Sequence, residues 1–350
     1  MARLSPVRFH PPYEKLIEEK GEITMKKLLS VLIALTLVLS LAACGGASSS
    51  SPAPSSSEET ASSGEETLRI GLIQLVEHPS LDEIRTAFTE ELKAKGYDNV
   101  EIDYANGQND TSTINTICQK FVGDGVDMIV AIATPAAQAA AAATSEIPIV
   151  FAAVTDPVAA GLVGADGTPD RNCTGTSDAI ATGEIFTLAD KLTPGIKTYG
   201  FLYNLSETNS VAVIEEAKQI CAERQLTYIE ACVTNSGEVT TAAQSLIGKV
   251  DAIFCPIDNT VAFAMPNLAQ IANDAGLPVY VAADSMVADG GLATVGVNYT
   301  QLGRQTADMA IEILEGAAVA DVPVQVLSEY STVVNDETAA ALGIDPALYR

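Results

Sequence analysis

The chain has 350 residues, 47% of them hydrophobic and 18% charged, enough length and apolar material for two domains with their own cores. Its formal net charge is −26, and because residues 1–43 contribute six basic and four acidic groups, the remainder carries −28. Such a field repels phosphate backbones and anionic lipid headgroups, which argues against nucleic acid as a partner and against membrane association through surface charge.

Residues 1–24 show no persistent apolar period and end directly before Met25-Lys26-Lys27, the basic start expected of a signal peptide. They are read either as lying upstream of the true translation start or as a disordered extension. Leu28 to Ala43 is a 16-residue apolar stretch, short for a membrane span of about 20 residues. It closes with Leu41-Ala42-Ala43-Cys44, small residues followed at once by a cysteine, which resembles the bacterial lipobox. Residues 25–43 are therefore expected to be a lipoprotein signal peptide and Cys44 the lipidated first residue of the mature chain. Two or more acyl chains give stable anchoring where one gives only marginal binding. The expected location is extracytoplasmic, with the membrane reached through that lipid alone. From Cys44 to Thr67 the chain is rich in Ser, Pro, Gly and Glu with almost nothing to bury, a disordered tether reaching on the order of 25 Å.

From Leu68 onward strands and helices alternate. Ile70 to Gln74 reads as a strand leading to the loop Glu77-His78-Pro79-Ser80, and Leu81, Ile84, Phe88 and Leu92 share one face of the next helix. Ile114, Ile117, Phe121 and Val122 mark a second, with Gly96 and Gly123 placed where helices stop. Met128 to Ala133 is an apolar run of strand length that ends at Thr134-Pro135, where proline suits the first turn of a helix and threonine can cap it. The Ala-rich helix runs to Ala143, and a second buried strand, Ile149 to Val154, ends in Thr155-Asp156-Pro157. The plan then repeats. Tyr199 to Asn204 leads to Glu207-Thr208-Asn209-Ser210 and a helix with Val211, Ile214, Ala217 and Cys221 on one face. Asp251 to Ile257 leads to Asp258-Asn259-Thr260 and a helix to Ala275, and Leu277 to Ala283 leads to Asp284-Ser285. Two α/β domains on one plan follow, with polar loops at the carboxyl ends of parallel strands, where open α/β sheets bind ligands. A strand over Leu292 to Val297 and a helix from Gln301 to Leu314 are assigned back to the first domain. The expected fold is therefore two doubly wound, Rossmann-like domains, residues 68–178 plus 287–327 and residues 179–286 plus 328–350, joined by a hinge of about three crossovers.

These residues resemble the tryptophan/tyrosine-type substrate-binding lipoproteins of ABC transporters, within the type I periplasmic-binding-protein fold. The matching phrases are Glu77-His78-Pro79, Thr134-Pro135-Ala136, Val154-Thr155-Asp156-Pro157-Val158, Gly161-Leu162-Val163, Leu202-Tyr203-Asn204, Glu207 with Asn209-Ser210-Val211, Asp258-Asn259-Thr260 and Leu302-Gly303-Arg304-Gln305-Thr306. They extend over nearly the whole mature chain. The resemblance implies two domains closing over a small ligand, an aromatic amino acid, and delivery of it to an ABC permease.

Asp156, Asp258 and Asp284 each end an apolar strand at the cleft edge. Aspartates there commonly cap helices or hold turns, but with three on one face at least one is expected to meet an ammonium group. Thr134, Pro135 and Ala136 in one domain and Asn209 and Ser210 in the other lie at helix starts, which favour a carboxylate. With Glu77, His78, Asn259 and Thr260 from the neighbouring loops, and Phe151 and Tyr203 near strand ends, they form the candidate ligand-binding set for an α-amino acid zwitterion; Tyr299 is also near a strand end, where an aromatic is more often core than a stacking platform. No cofactor or metal is expected. His78 is the single histidine after the signal, and the chain has no G-x-S-x-G, H-E-x-x-H, G-x-G-x-x-G or Walker pattern, so the reading is a binding protein and no enzyme. Five cysteines follow Cys44, at 118, 173, 221, 232 and 255, in no zinc spacing, and no disulfide is expected. The expected function is a monomeric solute receptor for an amino acid. Alternatives are a receptor for a nucleoside or sugar, and a ligand sensor for a signalling partner.

Overall fold

The computed structural model describes residues 67–327 and 329–349. The expected start at Met25, the signal peptide, Cys44 and the tether lie outside the described residues.

The first sheet is built from β1 (Arg69–Gln74), β2 (Glu101–Asn106), β3 (Met128–Ile132), β4 (Ile149–Ala152) and β5 (Cys173–Ser177), with the two-residue β11 (Gln325–Val326) added late. Its order is β11-β5-β4-β3-β1-β2, and every pairing is parallel. The second sheet contains β6 (Thr198–Asn204), β7 (Thr227–Val233), β8 (Ala252–Cys255), β9 (Val279–Val281), β10 (Ala293–Gly296) and β12 (Ser331–Val334). It runs β12-β10-β9-β8-β6-β7, parallel except where β12 returns antiparallel to β10. In both sheets the central strands are apolar throughout and buried on both faces, as parallel strands covered by helices must be, while the edge strands β2 and β7 carry most of the exposed positions.

The helices of the first lobe include α1 (Pro79–Ala94), α2 (Thr111–Asp124) and α3 (Thr134–Ala143). Leu81, Ile84, Phe88 and Leu92 of α1 are all buried. α2 ends at Gly125, in the left-handed conformation with φ +62°, and not at Gly123, which remains inside the helix. α4 (Thr182–Leu192), α5 (Thr208–Arg224), α6 (Val239–Leu246), α7 (Asn259–Phe263), α8 (Met265–Asp274) and α9 (Asp284–Ala288) cover the second sheet. The single helix expected from Asp258 to Ala275 is two, α7 and α8, because Pro266 in the first turn of α8 cannot donate to the preceding turn.

The strand at 292–297 was expected in the first domain and instead belongs to the second. β10 pairs with β9 on one side and with β12 on the other. The connection from β9 holds only the short α9 and a Gly290-Gly291 turn, too little chain to leave the sheet. The chain returns to the first lobe only after β10, through α10 (Tyr299–Leu314), which packs along α1. Gly303 makes that packing close: a Cβ there would lie 2.6 Å from the carbonyl oxygen of Ile84. The chain thus crosses between lobes after β5, after β10 and between β11 and β12. The middle crossover lies near residue 297, not near 285.

Candidate ligand-binding site

Strands of both sheets end at one cleft, and a narrow cavity of about 20 Å3 lies there. Its walls come from the first lobe (His78, Ser80, Leu81, Ala153), from the crossovers (Asp178, Tyr299) and from the second lobe (Asn209, Ile257, Asp258, Asn259, Ala262, Ala283, Met286). Among the described residues, hydrogen bonds cross directly from lobe to lobe at three places. His78 Nε2 meets Asn259 Oδ1 at 3.2 Å, Ser80 Oγ meets Ser285 Oγ at 2.5 Å, and Asn109 Nδ2 donates to Thr260 Oγ1 at 2.9 Å.

The second lobe's side of the cleft is organised by Glu207, a buried carboxylate at the start of α5. One oxygen accepts from Asn259 N at 3.0 Å and Asn259 Nδ2 at 2.6 Å; the other accepts from Thr260 N at 3.0 Å and Thr260 Oγ1 at 2.8 Å. Asp258 caps α7, accepting from Val261 N at 2.8 Å and from Asn204 N at 2.6 Å. Burial and the negative charge of Glu207 push the Asp258 carboxyl up to about 8. Asn209 Nδ2 and Ser210 Oγ both donate to the carbonyl of Ile257, at 2.7 and 3.1 Å.

At the crossover, Asp178 is buried and accepts from Thr155 Oγ1 at 2.9 Å and from Tyr299 OH at 3.4 Å. Burial pushes its carboxyl up to about 6, against the opposing pull of these hydrogen bonds. It has no cationic partner among its hydrogen bonds and faces the cavity. Two further wall residues hold buried acceptor-capable atoms without a partner, His78 Nδ1 and Asn209 Oδ1. A carboxylate and two bare acceptors in one largely apolar cavity suit a ligand that brings N–H or O–H donors, one of them cationic.

Of the residues expected from sequence, His78, Asn209, Asp258 and Asn259 line this cavity, and Thr260 and Ser210 sit directly behind it. Phe151 is fully buried in the first lobe's core, and Tyr203 OH donates to Glu230 at 2.7 Å; neither lines the cavity. Glu77 is exposed, accepting from Tyr104 OH at 3.2 Å. Asp156 accepts from Ala159 N at 2.9 Å, holding its own turn, and lines a separate cavity with Thr155, Pro157 and Glu216. Asp284 accepts from Ser285 N at 2.8 Å at the start of α9, outside the cavity wall. Thr134 opens α3 without capping it; its Oγ1 is buried and unpartnered, beside Pro135 and Ala136, and none of the three lines the cavity. Asp178 was legible only as a crossover, because the strand before it, Cys-Thr-Gly-Thr-Ser, carries no apolar pattern. Glu207 was visible in a family phrase but not as the hub of the network.

Among the described residues no three His, Cys, Asp or Glu side chains converge as a metal site. The cysteines at 118, 173, 221 and 255 are buried, Cys232 is exposed, and all five are unpaired.

A family model described as ABC transporter substrate binding protein matches residues 69–347. The chain is 40% identical over 323 residues to a protein named tyrosine-binding protein from Clostridioides difficile, covering 91% of this chain and 93% of that one. It superposes with TM-score 0.78 and 40% identity on a crystal structure of an ABC domain in complex with L-Trp from Streptococcus pneumoniae, over 80% of this chain and 95% of that chain. Against a ligand-free, open structure of a substrate binding protein with adhesive properties from Clostridium difficile the identity is 41% and the TM-score 0.62, over 79% and 95% of the two chains. Two α/β lobes of type I periplasmic-binding-protein architecture, a cavity walled by both, and a family match over nearly all of the described residues lead to one conclusion: the chain belongs to the family of ABC transporter substrate binding proteins.

Proposed function

We propose that the protein is the extracytoplasmic receptor of an ABC importer and binds an aromatic amino acid of the tyrosine or tryptophan kind between its lobes. The observation that carries the ligand class is that two relatives at 40% identity are, respectively, named tyrosine-binding and solved with L-Trp. The cavity supports the mode of binding. The ligand's ammonium sits at Asp178, whose side-chain partners are only the hydroxyls of Thr155 and Tyr299, whereas Asp258, the other carboxyl on the wall, is committed to capping α7 and to Asn204 N. This replaces Asp156, Asp258 and Asp284 in that role.

Binding acts by closure. The higher TM-score to the ligand-bound neighbour than to the open one, at nearly equal identity, supports a closed arrangement of the lobes, and a ligand touching both lobes stabilises that arrangement over the open one. Delivery to a permease and anchoring through lipid on Cys44 complete the reading. Calorimetric titration with tyrosine, tryptophan, leucine, a hexose and a nucleoside tests the ligand class. Binding of an aromatic amino acid is expected, with loss of binding by its decarboxylated and deaminated analogues. Saturable binding of the sugar or nucleoside alone would overturn it. For the anchor, Cys44→Ser is expected to release the protein from the membrane fraction with binding intact; retention in that fraction would count against lipidation.

A further inference from the structure

His78 is buried at the start of α1, and its two ring nitrogens are in different situations: Nε2 meets Asn259 Oδ1 at 3.2 Å, and Nδ1 has no partner. The proton state of the ring follows from its neighbours. A carboxylate only accepts, so the Asn259 side-chain atom 2.6 Å from Glu207 Oε2 is the amide nitrogen. Asn259 Oδ1 is then the atom facing His78, and a carbonyl oxygen cannot donate. Nε2 therefore carries the proton. Burial lowers the affinity of the ring for a second proton, which leaves Nδ1 as a bare lone pair. Asn259 cannot turn over to reverse this, because its backbone N–H and Thr260 hold the same Glu207 carboxylate in place.

A bare acceptor buried in a ligand cavity calls for a donor from the ligand. An amino acid offers two kinds, its ammonium and whatever its side chain bears. The ammonium is a cation and the same cavity presents the Asp178 carboxylate, so charge complementarity sends it there and leaves the neutral imidazole for a neutral donor. Leu81, Ile257, Ala262 and Met286 give the cavity apolar wall for a ring. We infer that His78 Nδ1, its tautomer fixed by Glu207 through Asn259, accepts a hydrogen bond from an O–H or N–H on the ligand's ring, so that the receptor selects phenol- or indole-bearing amino acids over phenylalanine. The inference rests on the amino-acid reading of the cavity given above. His78 is the specificity-determining residue, and Glu207 and Asn259 position it.

Imidazole nitrogen NMR on the ligand-free protein reads the tautomer directly, since the only other histidine in the chain is His10. A neutral ring protonated on Nε2 is expected for His78, and protonation on Nδ1 would overturn the inference. Calorimetry on the wild-type protein then compares tyrosine and tryptophan with phenylalanine, O-methyltyrosine and 1-methyltryptophan. Leaving the buried acceptor unpaired is expected to weaken the three donor-free ligands by on the order of tenfold to a hundredfold. Equal affinity for phenylalanine and tyrosine would overturn the inference while leaving the amino-acid reading standing. Absence of binding by any aromatic amino acid would overturn both. In His78→Leu the spread among the five ligands is expected to collapse to within about threefold, and a persisting preference would place the discrimination elsewhere. The wild-type comparison and the tautomer decide the matter without the variant.

Discussion

The two faces of the cleft are built differently. On the second lobe, Glu207, Asp258, Asn259 and Thr260 hydrogen-bond one another's backbone and side chains until nearly every polar atom is used. On the first lobe, Thr134 Oγ1 and His78 Nδ1 are left unpartnered, and two alanines at strand ends, Ala133 with φ 80° and Ala153 with φ 54°, occupy backbone conformations that L-residues avoid. The second lobe is thus nearly a finished template, with Asn209 Oδ1 its open acceptor on the cavity wall, whereas the first combines open hydrogen-bonding capacity with backbone strain that only a ligand or the other lobe can resolve. Asp178 lies where the two faces meet and belongs to neither network. Preorganisation on one side and unmet demand on the other is a way to make affinity depend on closure.

The sharpest test of that contrast is Asp178→Asn. Removing the charge of a buried partner costs on the order of 2–5 kcal/mol, so ligand affinity is expected to fall about thirty-fold or more by calorimetry, while Asp156→Ala, in a turn that does not reach the cavity, leaves it unchanged. An equal loss in the two variants would dissolve the distinction between Asp178 and the other aspartates.

Proton linkage gives the next effect. Because burial raises Asp178 to about 6, the ligand-free protein binds a proton there below that pH, and an incoming ammonium must displace it. Affinity is expected to drop about tenfold per pH unit below about pH 6 and to be level above it, with proton release on binding at pH 5. The stability of the ligand-free protein moves the other way. A carboxyl raised in the folded state binds more protons than it does unfolded, so its contribution is retained below its ordinary 3.8 and is lost as pH rises to about 6 for Asp178 and about 8 for Asp258. Thermal melts with and without ligand between pH 5 and pH 8 separate the two trends, and parallel curves would contradict the assignment.

Smaller effects come from the contacts between the faces. Ser285→Ala removes the bond to Ser80 and is expected to weaken ligand binding by roughly two- to tenfold, through the closed state alone. Unchanged affinity would mean that the bond forms at no gain over water. Least of all, Ala133→Gly relaxes a backbone at φ 80° and ψ 154° that is almost confined to glycine, and is expected to stabilise the ligand-free protein by about 1 kcal/mol in urea titration after glycine's own entropy cost. A loss of stability would show that the first lobe is not strained there.

Much of this architecture is legible in the sequence, and where it is not the reasons are physical. The runs Met128 to Ala133 and Ala252 to Cys255 are apolar throughout because both faces of a central parallel strand are buried, so strand length and flanking turns suffice to find them. The strand Cys173–Ser177 escapes because its threonines, serine and glycine satisfy themselves by specific bonds, Thr174 to Val322 O and Thr176 to Thr306, which no periodicity encodes. That omission hid Asp178, the residue immediately after it. Asp156, Asp258 and Asp284 stood out for the opposite reason, since each punctuates an apolar run, and that same position is what commits them to turns and caps. The assignment of the strand at 292–297 failed on connectivity: hydrophobicity says that a segment is a strand, and only the length of the preceding connection says which sheet it joins.

The interleaving of the two lobes also governs the order in which they form. β11 pairs Gln325 with Thr176, β12 pairs Val334 with Ala293, and α10 lies along α1 from more than two hundred residues away in sequence. Neither lobe has its full set of strands until Val326 or Val334, so a fragment that stops before Tyr299 lacks β11, β12 and the helix that packs along α1. Such sequence-distant pairings slow folding, because the chain must close long loops before any of them is rewarded. Pulsed hydrogen exchange during refolding is expected to show α1 gaining protection together with α10 and not before it.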